Sequence, residues 1–406
     1  MTFQPCPAGT ASLFRMLQQR MQLAVQHSQK AGGLTLLLWL MAIAPAMAEQ
    51  LTLRVAIERD VSQVKIGSST DAVLTNGAGG QALAPIPAMN AVMAEAKAGQ
   101  VTVNQLQTSQ ACIQPSGDGY VFIGDHWYRG ATCVVPTDGG LTAVNYVDLE
   151  QYLYSVVGSE MPTSWSLEAL KAQAVAARSY VLYQRQSSAN AVFDVGNTTA
   201  WQVYGGLDKE SASTRAAVDT TQGQVLTYNG QIIDAVFHSC AGGRTENVED
   251  VWSNPLPYLR SVDSPDQDAP NCRWEKTVST TELSQHFDDV GNILSMVPEK
   301  VTAGGRIVKI RLRGDKGDRV IDGDALRDAL ALRSAPFQII PQMGPVATTG
   351  NVTSAPTAFE LTGQGYGHGI GMSQWGAHNL AEQRWNYAQI LLHYYTGAEL
   401  RRIEVQ

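Results

Sequence analysis

The sequence has no basic excess, no apolar run of about 20 residues, and no Gly-x-Ser-x-Gly or Gly-Lys-Ser/Thr signature. Each absence excludes something. A net charge of −8 argues against a nucleic-acid partner gripped mainly through phosphates. Without a nucleophile elbow there is no basis for an α/β-hydrolase serine. Without the Gly-Lys-Ser/Thr ending, the glycine-rich stretch Gly363–Ala377 is not a phosphate loop. No internal repeat is apparent, so a solenoid is not indicated. What is present is ordinary for a folded chain: 406 residues, 44% apolar and 16% charged, enough for a sizeable core and more than one lobe.

Residues 1–48 read as a separate object. Arg15, Arg20 and Lys30 precede the apolar run Leu34–Ala46, which ends in Ala46-Met47-Ala48. Basic flank, short apolar stretch and small-x-small site are the layout of a secretory signal, with an uncut membrane anchor as the competing reading. Either way the remainder is expected to be exported. Cysteine usage agrees: apart from Cys6 there are four, Cys112, Cys133, Cys240 and Cys272, an even number that suggests disulfides. Of the three pairings that four cysteines allow, 112–133 with 240–272 is favoured because each couple is near in sequence.

The patterning predicts an α+β protein, a mixed two-lobed domain. Residues 49–140 form its strand-rich N-terminal part, 141–262 the catalytic core, 263–345 a smaller inserted lobe, and 346–406 the C-terminal part that completes the core. Leu51–Ile57 alternates like a half-buried strand, as does Leu141–Val147. Val101–Cys112 and Tyr120–Val135 read as strands around a turn at Pro115–Gly119, and Ser68–Gly80 as turns; 81–99 gives no clear signal. Asp148 caps a short helix to Val157, followed by Ser159-Glu160-Met161-Pro162. A long central helix starts after Pro162 with Ser164 or Ser166 as its cap, and Leu167, Leu170, Ala174, Ala177 and Val181 form its core stripe. Strands follow at Gly223–Tyr228 and Ile232–His238. Helices are expected at Thr280–Phe287 and Asp322–Leu332, with a strand at Ile307–Leu312. Two helices end the chain, the last capped by Asn386 and stopped by Gly397.

The chemistry points to Glu160. A carboxyl beside Val156, Val157, Met161 and Pro162 loses hydration, which raises its pKa and keeps a proton available near neutral pH. Cys240 with His238 lacks an orienting partner and is better explained as oxidised. Lys171 and Arg178 stand on one helix face two turns apart, as surface cations or as support for the acid. His368 lies among five glycines, which leave few side chains to bury it and bring backbone close to a ligand. A glycosidase usually pairs two carboxylates. No second acid is comparably marked, and Glu168 is explained by the helix dipole. One acid suffices if a hydroxyl of the substrate is the nucleophile.

Four separated segments carry a resemblance: Asn145–Leu153, Ser159–Pro162, Leu170–Arg178 and Gly367–Gln374. In this order they resemble the SpoIID/LytB family, which includes the sporulation protein SpoIID and amidase-enhancer proteins. The resemblance spans about residues 51–400. It implies a peptidoglycan lytic transglycosylase that makes 1,6-anhydro-N-acetylmuramic acid ends, or a non-catalytic relative that binds glycan strands and stimulates an N-acetylmuramoyl-L-alanine amidase. It places Glu160 at the catalytic acid, Lys171 and Arg178 at the cationic positions, and Tyr258, His368 and Gln374 along the groove. Some members carry a zinc cluster of the form Asp-x-Cys-x-x-x-His-Cys-Gln-x-Tyr. Here the corresponding stretch is Asp194–Tyr204, with Gly196, Ala200 and Trp201 at the three soft or imidazole positions. No metal or other cofactor is therefore expected. Trp201 either stacks on a sugar ring or simply packs.

Overall fold

Alanine dominates the helix Leu167–Ser188 because neighbours close around it. In a computed structural model that describes residues 51–252, 254–344 and 355–403, Ala169, Ala172, Ala174, Ala176 and Ala177 are all at 0% exposure. Small side chains let other elements approach on several faces at little entropic cost. Helices Leu149–Glu160, Ala212–Thr220, Gln374–Glu382 and Tyr387–Tyr394 and the strand Gln224–Tyr228 all pack against it. Ser166 is the N-cap, its side chain accepting from the Glu168 N–H. The expected stripe holds at Leu170, Ala174, Ala177 and Val181, but Leu167 is 39% exposed, because the first helical residue lies at the surface.

The strand-rich part forms two sheets that share one core with these helices. In the seven-stranded sheet, Val195–Gly196 lies at the edge, followed in space by Thr52–Val61, Gly140–Asp148, Ala131–Thr137, Ala111–Pro115, Ala72–Asn76 and Gln81–Ile86. The edge strand pairs parallel with Thr52–Val61; the other neighbours are antiparallel. Cys133 stands opposite Cys112, and these two form a disulfide, as do Cys240 and Cys272. The sheet overturns the turn-only expectation for Ser68–Gly80, since Ala72–Asn76 is a strand. Only Leu74 of that strand is fully buried, so no apolar alternation marks it. The unassigned 81–99 holds the strands Gln81–Ile86 and Asn90–Lys97. The predicted helix after Asp148 runs to Glu160, and Asp148 accepts from the Glu150 and Gln151 N–H groups.

A second hydrophobic core gathers Trp274, Val278, Leu283, Ile310, Leu312, Leu326, Phe359 and Leu361. Around it lie a sheet with Pro356–Gln364 between Arg273–Ser279 and Phe337–Met343, and the meander Ile293–Val301, Ile307–Gly314 and Asp318–Asp322. The Cys240–Cys272 disulfide stands at its root. There the Gly365 N–H donates to the Cys272 carbonyl and Cys240 bridges Tyr366. After the last helix the chain adds a strand, Glu399–Arg402, against Gln224–Tyr228, which the Gly397 stop signal did not anticipate. The expected export segment, 1–48, lies outside the described residues. None of the described helices is long and apolar enough to cross a membrane.

One buried ion pair clamps these helices. Arg178, at 0% exposure, donates through Nε and Nη2 to the two carboxylate oxygens of Glu150 and through Nη1 to the Gln224 carbonyl at 3.0 Å. Arg178→Met is expected to lower stability by about 3 kcal/mol or more, because Glu150 is left without its partner. Urea unfolding checks this, and adding Glu150→Gln should recover part of the loss.

Candidate functional site

Glu160 is the last residue of the helix Leu149–Glu160, and Met161 caps it in extended conformation. That position places the carboxyl at the negative end of the helix, which opposes ionisation. Its Oε1 accepts from the Val203 N–H at 3.0 Å and its Oε2 from Gln374 Nε2 at 3.3 Å. Burial raises the Glu160 pKa, and these two hydrogen bonds, which favour the carboxylate, offset only part of the rise. Among the described contacts, no cation touches the carboxyl.

Gln374 is the buried first residue of the helix Gln374–Glu382, capped by Ser373. Its Nε2 lies 3.5 Å from Gln173 Oε1, so two acceptors face the amide nitrogen and fix which end of the amide meets Glu160. Gln173 was not anticipated. It is a polar residue at 0% exposure inside the alanine run, and its own Nε2 finds no partner among the described residues. A buried polar residue in an otherwise small and apolar helix is the signal that marks it. One hydroxyl senses both Glu160 and a second acid. Tyr180 is shifted upward by burial and then by the charges of Asp234 and Glu160, and burial pushes Asp234 up to about 6.

The glycine-rich segment reaches Glu160 through Gln374. His368 makes no described contact with Glu160. Instead, its Nε2–H donates to the Phe237 carbonyl at 2.9 Å and its Nδ1 accepts from the Ile370 N–H at 3.1 Å, with the tautomer set by these partners. His238 donates through Nδ1 to the Ile370 carbonyl. Removal from water pushes His368 down to about 3 and His238 to about 4, so both are neutral near pH 7. These rings stitch the loop to Phe237–His238, which pairs with Met372–Ser373. Gly371, at φ 72°, lies so close to Val236 that a Cβ there would meet its carbonyl oxygen at 2.1 Å.

The remaining expected residues hold the frame. Lys171 pairs with Glu168 at 2.8 Å and lies over the Tyr387 ring, while Glu168 also accepts from the Tyr387 N–H. Arg178 faces Glu150, fully out of reach of a ligand. The Tyr258 hydroxyl accepts from the Asp234 N–H at 3.3 Å and its ring packs on Tyr228. Trp201 lies against Phe193, and Arg59 covers both rings.

With this geometry in place, the comparisons with known proteins are decisive. Residues 137–228 match a family described as stage II sporulation protein. The chain is 35% identical over 283 residues to stage II sporulation protein D of Bacillus amyloliquefaciens, covering 64% of this chain and 75% of that one. The chain belongs to the SpoIID family. It is also 33% identical over 291 residues to an uncharacterized protein of Brachyspira hyodysenteriae, covering 70% of this chain and 74% of the relative. A third relative, the amidase enhancer of Bacillus subtilis, is 33% identical over 290 residues, 61% of this chain but 40% of its own length. Residues 260–371 match a domain of unknown function.

Within the SpoIID family resemblance, the zinc-cluster positions of this chain do not fit a zinc ion. Asp194 is engaged by Arg54, whose Nε and Nη2 donate to Oδ1. A Cβ on Gly196 would meet the Trp201 ring at 2.6 Å, so the indole fills the space that a side chain there would need. Gln202 accepts from the Tyr152 hydroxyl, and Tyr204 donates to Asn145. Packing and these hydrogen bonds hold the segment whose Val203 N–H meets Glu160.

The raised Glu160 pKa has a stability consequence. The native state holds this proton to higher pH than the unfolded chain, so its contribution is fully present below the unfolded value, about 4.3, and is lost as pH rises through the folded value. Relative to wild type, Glu160→Gln should therefore gain Tm between pH 4 and pH 7. Equal Tm differences at the two pH values would contradict the shift.

Proposed function

We propose that the protein is an exported peptidoglycan lytic transglycosylase with Glu160 as acid and then base. The observation that carries this reading is a buried carboxyl at a helix C-terminus, held by one N–H and one amide, whose pKa burial raises. SpoIID family membership supports a peptidoglycan-related role. Two disulfides support an extracytoplasmic location.

In this mechanism Glu160 protonates the oxygen between C1 of N-acetylmuramic acid and the next N-acetylglucosamine, and the C1–O bond breaks. The 6-hydroxyl of the same muramyl residue attacks C1 and gives its proton to the Glu160 carboxylate. The acid is regenerated, no water is consumed, and the product ends in a 1,6-anhydro ring. Gln374 and Val203 hold the carboxyl in one orientation through both steps. Lys171 and Arg178 act at a distance, by fixing the helices.

A second reading follows from the relative named amidase enhancer: this chain holds glycan strands and stimulates an amidase without cutting them. Digestion of purified glycan strands, with and without stem peptides, separates the two. Under the lytic reading, mass spectrometry finds anhydromuramyl ends with wild type and none with Glu160→Gln. If wild type produces none on either substrate, the lytic reading fails; stimulation of a co-incubated amidase then favours the enhancer. The acid must be protonated to begin, so the rate should fall as pH rises through the Glu160 pKa. Gln374→Ala removes a donor that favours the carboxylate, so this limb should move to higher pH, and an unmoved limb would detach Gln374 from the acid.

A further inference from the structure

Trp165, Trp375 and His378 form a ring cluster that no step above uses. Trp165 stacks on His378 with centroids 4.5 Å apart and planes at 15°, and tilts against Trp375 at 4.6 Å. Trp375 meets His378 edge-on at 5.6 Å. None of the three rings is fully buried, and Pro162, Thr163, Ser164 and Leu167 beside them are exposed.

Their placement ties them to the acid. Trp165 lies on the short link from Glu160 to the central helix, where its N–H closes a turn onto the Pro162 carbonyl at 3.0 Å. Trp375 directly follows Gln374, which touches Glu160. His378 is four residues after Gln374 in the same helix, so the two share a face about one turn apart, about 6 Å along the axis. The cluster is thus carried by the residues that flank Glu160 and its amide partner in the chain.

A sugar ring has apolar C–H faces and a polar rim. Partly exposed aromatic rings with N–H tips match both, covering the faces and meeting the hydroxyls. Burial lowers the His378 pKa, so the imidazole stacks as a neutral ring near pH 7 and repels no cation. We infer that Trp165, Trp375 and His378 are a stacking platform for a glycan sugar adjoining the bond at Glu160. This deepens the proposed activity and rests on it.

Titration calorimetry tests the platform without requiring turnover. The full chain carrying Glu160→Gln is titrated with a soluble tetrasaccharide of alternating N-acetylglucosamine and N-acetylmuramic acid. Trp165→Ala and Trp375→Ala are each expected to weaken binding about tenfold, and the tyrosine variants at the same positions to stay within about threefold. Should an alanine variant lose Tm, the tyrosine variant decides, because it keeps the ring and fills most of the space. Alanine variants that bind within twofold of the parent, or a parent with no saturable binding, overturn the platform. The two readings also fail separately. Ring-dependent binding without anhydromuramyl ends from wild type leaves the platform standing and removes the lytic reading. Ends formed by wild type with ring-independent binding do the reverse.

Discussion

Arg178 and Glu150 meet where water is almost excluded, and the geometry of the acid depends on that meeting. Arg178 is on the central helix, Glu150 is in the first turn of the helix that ends at Glu160, and Gln224, whose carbonyl also accepts from Arg178, opens a strand packed against the central helix. Glu150 also accepts from the Gly223 N–H. Two helices and a strand are therefore held at one point, and the acid projects from the far end of a helix whose base cannot slide. A desolvated pair of this kind is costly to form and more costly to break. Its return is positional: Glu160 is aimed by a rigid element rather than a loop.

At the other end of that helix the protein withholds compensation. Among the described residues the carboxyl receives two neutral donors and no cation, while burial and the helix dipole both oppose its charge. Lys171 and Arg178, the cations close in sequence, are each engaged by another carboxylate, Glu168 and Glu150. Had either turned to Glu160, it would have favoured the ionised form and removed the available proton. Keeping the acid apart from its cationic neighbours is thus as important as the contacts it makes.

The sequence revealed those features whose causes are local. Asp148 and Ser166 cap their helices as residue type and position suggest, and the alternation at Leu51–Ile57 becomes a strand. Glu160 stood out because it follows an apolar run and precedes a proline. What remained hidden is set by distant partners. Ala72–Asn76 is a strand because its neighbours pair with it, not because its side chains alternate. The helix Ala212–Thr220 is short and mostly small or polar, so no stripe announced it. Val203 serves Glu160 through its backbone, which leaves no mark in residue type. His368 looked free because glycines surround it, yet backbone groups occupy both ring nitrogens.

The contact between Glu160 and Gln374 spans 214 positions of chain. During synthesis the acid emerges long before its amide partner, and the segment between them includes the whole second core and its disulfide root. Loop closure on that scale is a late event. A nascent or truncated chain ending before residue 374 carries the carboxyl on its helix but not the group that orients it. The oriented acid therefore exists only in chains that extend through Gln374.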